Sequence, residues 1–407
     1  MKPLWIICAL FAILSASPLC AQVTVRVLTY NIHRDIGASD SNVSSQPALA
    51  KIVNYLKPDV WTLQELGGNN VHYSAAVAHG NLAGFIQQNL TIFGPNPQEN
   101  VDFFIYVSSI SDGYDTVAIV SRYPFAYTHT YADAGNGFGS LRGFPLASIS
   151  VPGPTKLDVF TAHLKALSTT TDAEKRQTEA DVDHNNVFNW ISAHRADAIV
   201  TTGDWNESED AGDKTNWSGH NIGDMLPTPN EPYHPITTML SAGLLDPRPL
   251  SIRGAPDTIN AATPNTRFDY NTFAKAAYLR GEVFDTKQHS AAELAALNAA
   301  NGTNFIASDS ADASDHLPVL TVVRVGFTPV VIATQTDGAT LALTYERIVA
   351  ANVSYTVEQS NDLLSWTTAS PTQQVLAQNL GSETLRASVP TSGRSSVFLR
   401  VPAAVAP

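Results

Sequence analysis

Acidic, amide and imidazole side chains stand at the ends of strand-like segments along much of this 407-residue chain. The segments alternate apolar and polar residues or run continuously apolar, which predicts strands. One such polar residue taken alone is a turn or cap residue. Strands of one sandwich end along common edges, however, so a whole set of them can converge on one cavity. The set is Asn31, Glu65, His163, Asp204, Asn206, Asp269, Asp315 and His316.

Residues 23–326 alternate strand-like and helix-like segments, which is typical of a mixed α/β fold. Two pairs of neighbouring strands are predicted, FFIYVSS with DTVAIVSRYPF and LASISV with KLDVFTAHL. Residues 206–266 are rich in Pro, Asn, Asp and Gly and predict a long loop region. The predicted helices are residues 47–57, 73–90, 173–195, 235–242 and 291–302.

The first residues have the pattern of a secretory signal peptide. Lys2 precedes the apolar run LWIICALFAIL, and small and turn residues follow in SASPLCA. We expect cleavage near Ala21, so that residues 1–21 are removed and the mature chain is secreted or periplasmic, without a transmembrane segment. Lipidation of Cys20 is the alternative. Both cysteines, Cys8 and Cys20, lie in this segment, so the core or a bound metal must hold the mature fold.

The chain is acidic, with 24 Lys and Arg against 37 Asp and Glu and a net charge of −13. Removal of the predicted signal peptide takes away one charge, that of Lys2, and leaves −14. Such a charge argues against a broad cationic surface of the kind that drives stable nucleic-acid binding. It leaves room for a local cationic site built by a metal ion.

The pattern changes at GFTPVV, and residues 327–407 contain only short alternating segments separated by turn residues. Segments such as TLALTYERI and TLRASVP predict strands. We therefore expect a small all-β sandwich module after a first domain of residues 22–326. The module contains no evident catalytic set, so we expect it to bind a surface or a polymer.

Seven short motifs follow one another between residues 23 and 326, namely YNIH, LQE, VSRYP, AHL, GDWN, RFDY and SDHLPV. Each motif alone is unspecific, but the ordered set resembles the endonuclease/exonuclease/phosphatase superfamily. The resemblance implies a four-layer α/β sandwich, in which two mostly antiparallel sheets pack face to face and helices cover the outside. It also implies metal-dependent hydrolysis of a phosphoester.

The resemblance implies a divalent-metal site formed by three side chains. Glu65 is the main ligand by this resemblance, and Asn31 and Asp315 lie near the same ion, partly through water. Hard oxygen ligands of this kind suit Mg²⁺ or Mn²⁺. The cation would offset the repulsion between an anionic phosphoester and hydroxide.

The resemblance assigns the phosphate and the attacking water to five other residues. Asp204 and Asn206 position the water and the phosphate, and His163 donates to the phosphoryl oxygens. His316 faces the phosphate with Asp269 as its partner. Either Asp204 or His316 could be the general base, because an ionised carboxylate and a neutral imidazole can both accept the proton of the water.

An exported phosphodiesterase is the function that these features favour. His163 and Asn206 donate without a fixed charge, which suits a diester with one negative charge better than a monoester with nearly two. The alternatives are a phosphomonoesterase acting on sugar or inositol phosphates, a nuclease and, from another class, a catalytically inactive binding protein of the same fold. The presence of Glu65, Asp204 and His316 disfavours the inactive protein.

Three further features of the sequence have no single interpretation. Asn271 in RFDYNTF stands where the family usually continues with an apolar strand residue. The segment between LQEL and FFIYV and the long loop after GDWN match no subfamily, so they leave the substrate unassigned. Arg142 and Arg176 could each reach phosphate or form a surface ion pair.

Overall fold

The structure is a computed structural model of the chain. The predicted signal peptide, residues 1–21, lies outside the residues that it describes. Within the described part of the chain, no helix is both long and apolar enough to cross a membrane. The described ranges are 22–36, 45–67, 74–132, 141–167, 170–208, 216–217, 220–221, 233–259, 261–262, 264, 266–336, 339–350, 353–391 and 396–405.

Two large β-sheets dominate the chain before residue 326. The strands described there are β1 (Val23–Asn31), β2 (Val60–Leu66), β3 (Phe104–Val107), β4 (Thr116–Ser121), β5 (Phe125–Tyr131), β6 (Phe144–Ile149), β7 (Leu157–His163), β8 (Ala198–Asp204), β9 (Asn216–Trp217), β10 (His220–Asn221), β11 (Asp269–Ala274), β12 (Ala277–Val283) and β13 (Val319–Val325). The first sheet has the order β12-β13-β1-β2-β4-β3, and the second has the order β11-β8-β7-β6-β5. β9 and β10 form a separate two-stranded ribbon.

Helices cover the outer face of each sheet. They are α1 (Gln46–Leu56), α2 (Ala75–Asn89), α3 (Thr170–Ala193), α4 (Pro235–Leu240), α5 (Ala291–Asn301) and α6 (Asp309–Ala313). Leu49, Ile52, Val53 and Leu56 on α1 are fully buried against the first sheet, as their helical spacing predicts. α3 and α4 cover the second sheet in the same way, with Met239 fully buried. The two sheets and two helical layers confirm the predicted four-layer sandwich.

Each large sheet contains one parallel pair of strands. β1 and β2 run parallel in the first sheet, and β7 and β8 run parallel in the second. The other neighbouring strands in both sheets are antiparallel. A parallel pair needs a long crossover connection, and α1 and α3 lie in these connections. The carboxyl ends of each parallel pair therefore meet at one edge of the sheet.

The interior between the two sheets changes from apolar to polar toward that edge. Inward-facing positions recur with a period of two along each strand. They are Val25, Val27, Thr29 and Asn31 on β1, Leu157, Val159, Thr161 and His163 on β7, and Ala198, Val200, Thr202 and Asp204 on β8. The apolar ends form the core between the sheets, and the polar ends form the edge where the predicted site residues lie.

Side chains in the polar half of this interior form hydrogen bonds from one sheet to the other. Gln64 Nε2 on β2 donates to Thr161 Oγ1 on β7 at 2.9 Å. Thr202 Oγ1 on β8 donates to Thr62 Oγ1 on β2 at 2.8 Å. All four side chains are fully buried, so these bonds offset the cost of removing their polar atoms from water.

Asn271, which departs from the family's pattern, belongs to the same set of contacts. Its Nδ2 on β11 donates at 2.9 Å to the carbonyl oxygen of Val27 on β1. This hydrogen bond joins the two sheets at a position where the resemblance predicts an apolar residue. Its Oδ1 is buried and has no hydrogen-bond partner in the described part of the protein.

Beyond residue 326 the described chain forms β-strands and turns, which confirms the predicted all-β character. The strands are β14 (Val330–Thr336), β15 (Thr340–Ile348), β16 (Val353–Tyr355), β17 (Glu358–Ser360), β18 (Thr367–Thr368), β19 (Thr372–Asn379), β20 (Ser382–Pro390), β21 (Phe398–Arg400) and β22 (Ala403–Val405). They form sheets with the orders β14-β15-β20-β19, β16-β22 and β18-β17-β21. Tyr345 and Leu385 of the four-stranded sheet pack with Val357 in a small separate core.

The C-terminal strands contact the strands of the first two sheets. Gly381, between β19 and β20, has a left-handed backbone with φ 78°, and a Cβ there would overlap the carbonyl group of Ala276. Arg324 on β13 forms an ion pair with Glu346 on β15 at 2.6 Å. The segment around Ala276 and strand β13 therefore both contact the C-terminal strands.

One predicted strand divides into two, and two elements were not predicted. DTVAIVSRYPF is not one strand, because β4 ends at Ser121 and β5 begins at Phe125. The two strands belong to different sheets, so the turn between them carries the chain across the sandwich. β12 and α6 were not predicted. The sequence of β12, AYLRGEV, contains Gly281 and does not alternate cleanly between apolar and polar residues. β12 pairs with β13 through a bulge between Tyr278 and Arg280.

Gly203 offers a test of the close packing between β7 and β8. Its φ is 133°, and an added Cβ would overlap the backbone of Ala162 on β7. We predict that Gly203→Ala lowers the free energy of unfolding by about 2–4 kcal/mol in urea denaturation, because both strain and overlap must be relieved. Gly80→Ala on α2 is the control, since nothing lies within 4 Å of its added Cβ. Equal stability of the two variants would contradict the prediction.

The boundary between the first domain and the C-terminal module stays a prediction that truncation can test. A chain ending at Gly326 keeps every predicted site residue, so we expect it to hydrolyse a small phosphoester within roughly twofold of the full-length rate, about 0.4 kcal/mol. It loses the contacts of Ala276 and Arg324, so its melting temperature should fall. A truncated chain with native circular dichroism and no activity would show that the module contributes to the site.

Candidate active site

Three neighbouring strands of each sheet bring polar residues to the same edge. In the second sheet, the strand register places Asp204 beside His163 on one side and beside Asp269 on the other. Because β11 runs antiparallel to β8, Asp269 at the start of β11 meets Asp204 at the end of β8. In the first sheet, β1 ends at Asn31, and the segment that leads into β13 carries His316.

Glu65 reaches the site through a β-bulge. Gln64 faces the interior, so a regular strand would point Glu65 outward. The backbone of Glu65 is left-handed, with φ 56°, and the pairing of β2 with β4 shifts register between Leu63 and Leu66. Bulges of this kind re-aim side chains next to active sites. As a result, Glu65 Oε1 accepts a hydrogen bond from Asn31 Nδ2 at 3.1 Å.

Asp204 is the centre of the site and is almost fully buried. Its Oδ2 accepts a hydrogen bond from Asn31 Nδ2 at 3.0 Å and lies 3.5 Å from His163 Nε2 and 3.6 Å from His316 Nε2. Its Oδ1 accepts the backbone N–H of Asn206 at 2.9 Å. Burial raises the pKa of Asp204 to about 7, although the charge of His316 opposes this shift. A carboxyl group with this pKa can accept or release a proton near neutral pH.

His316 is held between two acids. Its Nδ1 lies 2.8 Å from Asp269 Oδ2, and Ser314 Oγ accepts its backbone N–H at 3.1 Å. Burial by itself would lower the pKa of His316. The carboxylates of Asp269 and Asp204 together outweigh burial and raise this pKa well above its ordinary value. A raised pKa favours the charged imidazole, in which both nitrogens are donors.

His163 has the opposite electrostatics. Burial, followed by the charge of Arg142, lowers the pKa of His163 well below its ordinary value. Arg142 Nη1 donates to the carbonyl oxygen of His163 at 3.3 Å, and Arg142 Nε donates to Asp115 Oδ1 at 2.8 Å. His163 is therefore neutral, and its Nε2 faces Asp204.

Asn206 is placed by the turn that follows β8. Its backbone is left-handed, with φ 49°. Its Nδ2 donates to the carbonyl oxygen of Leu164 at 3.0 Å, which fixes the orientation of the amide. Since the backbone N–H of Asn206 also bonds the Asp204 carboxylate, one turn sets both side chains.

A cluster of charges lies beside Glu65. Arg34 Nη2 lies 3.2 Å from Asp115 Oδ2, and Arg34 Nε lies 3.8 Å from Glu65 Oε2. Burial raises the pKa of Glu65, and the carboxylates of Asp115 and Asp315 add to this effect. The ionised form of Glu65 is thus disfavoured by its surroundings, and a further cation close to it would stabilise that form.

Asp315 lies apart from the hydrogen-bonded group. Its Oδ1 lies 3.9 Å from His33 Nδ1 and 3.5 Å from Ser314 Oγ. Within the described structure no hydrogen bond joins it to Asn31 or Glu65, and it acts on Glu65 through charge. The other seven predicted site residues are connected to one another by the contacts given above.

Two groups of side chains fit a metal ion by their chemistry. Glu65 and Asp315 offer carboxylate oxygens, and Asn31 offers Oδ1, which accepts the backbone N–H of His33 at 3.0 Å. Burial and neighbouring carboxylates raise the pKa of Glu65, and a bound cation would oppose this shift. Asp204, Asp269 and His316 place one ligand atom each within 4.8 Å of one another. In this second group His316 Nδ1 lies 2.8 Å from Asp269 Oδ2, and His316 Nε2 lies 3.6 Å from Asp204 Oδ2. The carboxylate-rich set suits a divalent cation in either arrangement.

Arg142 and Arg176 are buried, so the expectation of surface ion pairs is wrong for both. Arg142 Nη2 also forms an ion pair with Asp112 Oδ2 at 3.0 Å, in addition to its hydrogen bond to the carbonyl oxygen of His163. Arg176 Nε donates to Glu207 Oε2 at 2.8 Å. The sequence contained no signal for the burial of Arg142, because the glycine-rich segment before it has neither helical nor strand periodicity.

Known proteins resemble the chain both in sequence and in structure. Residues 28–280 match the Endonuclease/Exonuclease/phosphatase family. No curated protein matches the chain. Truncated TDP2 of Caenorhabditis elegans is similar with 16% identity and a TM-score of 0.44, over 74% of this chain and 97% of that one. ANGEL2, a 2′,3′-cyclic phosphatase, is similar with 13% identity and a TM-score of 0.45, over 74% of this chain and 95% of that one.

Proposed function

We propose a function from the premise that the chain belongs to the Endonuclease/Exonuclease/phosphatase family. Nucleases and phosphatases share the hydrolysis of a phosphoester. We infer that this chain is a divalent-metal-dependent phosphodiesterase. The observation that carries the proposal is the buried Asp204 carboxylate, which Asn31, His163 and His316 approach from both sheets.

Mg²⁺ is the proposed metal, with Mn²⁺ as a substitute, and Glu65 is its proposed main ligand. Asn31 already contacts Glu65, and Asp315 acts on Glu65 through charge. When bound, the metal would neutralise charge on a phosphoryl oxygen. The oxygen ligands of this group suit Mg²⁺ better than the group that includes His316.

Asp204 is the proposed general base. Its pKa of about 7 suits a group that must accept a proton from water near neutral pH. His316, whose pKa is raised, would instead donate from a charged imidazole to the phosphoryl oxygens, with Asp269 holding its orientation. His163 and Asn206 are proposed as uncharged donors that stabilise charge in the transition state.

A diester is the proposed substrate because the arginines beside the site are already paired. Arg34 and Arg142 both contact the Asp115 carboxylate, so much of their charge is offset. A monoester carries nearly two negative charges near pH 7 and would be expected to recruit further positive charge. The acidic chain, at −13, also argues against stable binding of nucleic acid.

Export and surface attachment complete the proposal. The pattern of residues 1–21 supports secretion or transfer to a periplasm. The C-terminal strands keep their proposed role in binding a surface or a polymer, which would hold the catalytic part near its substrate.

The metal requirement can be tested by chelation. We predict that EDTA abolishes hydrolysis of bis-p-nitrophenyl phosphate by the purified protein and that Mg²⁺ or Mn²⁺ restores it. Glu65→Gln, which keeps the size of the side chain, should raise the Mg²⁺ concentration for half-maximal activity by at least about tenfold. Glu174→Gln, an exposed change on α3, is the matched control and should leave this concentration unchanged. Full activity in excess chelator would refute the metal-dependent mechanism.

The preference for diesters is tested by comparing two esters of the same leaving group. We predict a higher kcat/KM for bis-p-nitrophenyl phosphate than for p-nitrophenyl phosphate, because the paired arginines leave little charge for a second negative oxygen. A monoester rate tenfold above the diester rate, about 1.4 kcal/mol of transition-state preference, would instead support the phosphomonoesterase. Activity on DNA should be weak and should fall as salt rises.

A further inference from the structure

A cavity of about 310 Å³ opens beside the candidate active site, between the chain that follows β1 and the chain that leads into β13. The apolar residues of its described lining are alanines, including Ala261 and Ala313. Its polar lining residues are His33, Asp35, Ser45, Asp312, Ser314 and Asp315. Three of these residues are acids, and burial, together with the charge of Asp315, raises the pKa of Asp35 to about 7.

Asp35 contributes a hydrogen-bond acceptor to this cavity that the protein does not use. The residue is 3% exposed, and its Oδ2 has no hydrogen-bond partner among the residues that are described. A buried acceptor without a donor is costly, because it has lost water and gained nothing in return. A bound group that donates hydrogen bonds would remove this cost.

The spacing of the acids argues against a single metal ion in this cavity. Asp204, Asp269 and His316 are the one described group of three His, Cys, Asp or Glu side chains whose ligand atoms all lie within 4.8 Å of one another. Asp35, Asp312 and Asp315 do not form such a group. The cavity has the size of a small organic group rather than of a bare ion.

The lining also distinguishes between kinds of organic cation. Quaternary ammonium groups are bound by cages of aromatic rings. This cavity offers the carboxyl groups of Asp35, Asp312 and Asp315, with the imidazole of His33 as its only described ring. A primary ammonium group has three N–H donors and matches such acceptors.

The position of the cavity connects it to the reaction. Asp315 in its wall precedes His316, and His33 in its wall lies two residues after Asn31. A group esterified to a phosphate at the active site would therefore be close to the cavity. We propose that the cavity binds a primary ammonium group on one alcohol of the substrate, so that the enzyme acts on phosphodiesters of amino alcohols. This inference rests on the proposed phosphodiesterase function.

A pair of esters with the same shape and different charge tests the proposal. The probes are p-nitrophenyl 2-aminoethyl phosphate and p-nitrophenyl propyl phosphate, in which a methyl group replaces the ammonium group. We expect kcat/KM to be at least about tenfold higher for the aminoethyl ester, as hydrogen bonds to charged groups are the stronger ones. A ratio near one, with both esters hydrolysed, would overturn the inference and leave the phosphodiesterase function standing.

Variants of cavity residues test whether the cavity causes the difference in kcat/KM between the two esters. Asp35→Asn should bring the aminoethyl-to-propyl ratio close to one. Asp312→Asn, at an exposed rim residue, should lower the ratio too and covers the case in which Asp35→Asn does not fold. The control is Asp158→Asn, since Asp158 is also buried with one unpartnered oxygen but lies at the far end of β7 from His163. An unchanged ratio in both cavity variants would overturn the proposal.

Binding provides a readout that does not depend on turnover. If neither ester is hydrolysed, the proposed function fails, and calorimetry with phosphoethanolamine and propyl phosphate decides the question of the cavity. Phosphoethanolamine should bind at least about tenfold more tightly, a difference of about 1.4 kcal/mol. Equal affinities would refute the ammonium site. Tighter binding of phosphocholine than of phosphoethanolamine would refute the assignment to a primary ammonium group.

Discussion

Hydrogen bonds between the two sheets determine the geometry of the candidate active site. The polar half of the interior is buried, so its side chains must find partners in the opposite sheet or lose free energy. Thr62 meets Thr202 below the edge, and Asn31 meets Asp204 at the edge itself. A shift of one residue in either strand would turn these side chains to the other face and break the contacts together. The positions of the site residues follow from this register.

The same interior shifts the pKa values of two histidines in opposite directions. His163 and His316 both approach Asp204 Oδ2 and are both buried. His163 lies beside the cation of Arg142, which adds to burial and lowers its pKa, whereas His316 gains the carboxylate of Asp269 and its pKa rises. One carboxylate thus stands between a neutral donor and a charged donor. This difference gives the two residues separate proposed roles on one phosphate.

Four residues with left-handed backbone lie at the edge that carries the candidate site. His33, Arg34, Glu65 and Asn206 all have positive φ values, although none is a glycine. Each such conformation costs roughly 1–2 kcal/mol, which the surrounding contacts must offset. The left-handed residues turn Glu65 toward Asn31 and place His33 near Asp315. The site and the neighbouring cavity therefore depend on backbone conformations that regular strands do not provide.

The amino-acid sequence by itself determined the element types, most of the helices and which polar residues end the strands. Asn31, His163 and Asp204 follow directly from a period of two, because the pattern along a strand decides which face each side chain occupies. Only the tertiary structure decided the direction of Glu65, since the bulge depends on the pairing of β2 with β4. It also decided that DTVAIVSRYPF divides between two sheets and that Arg142 is buried against His163. These features depend on residues that are distant in the chain, and a local pattern carries no information about a partner that only folding brings near.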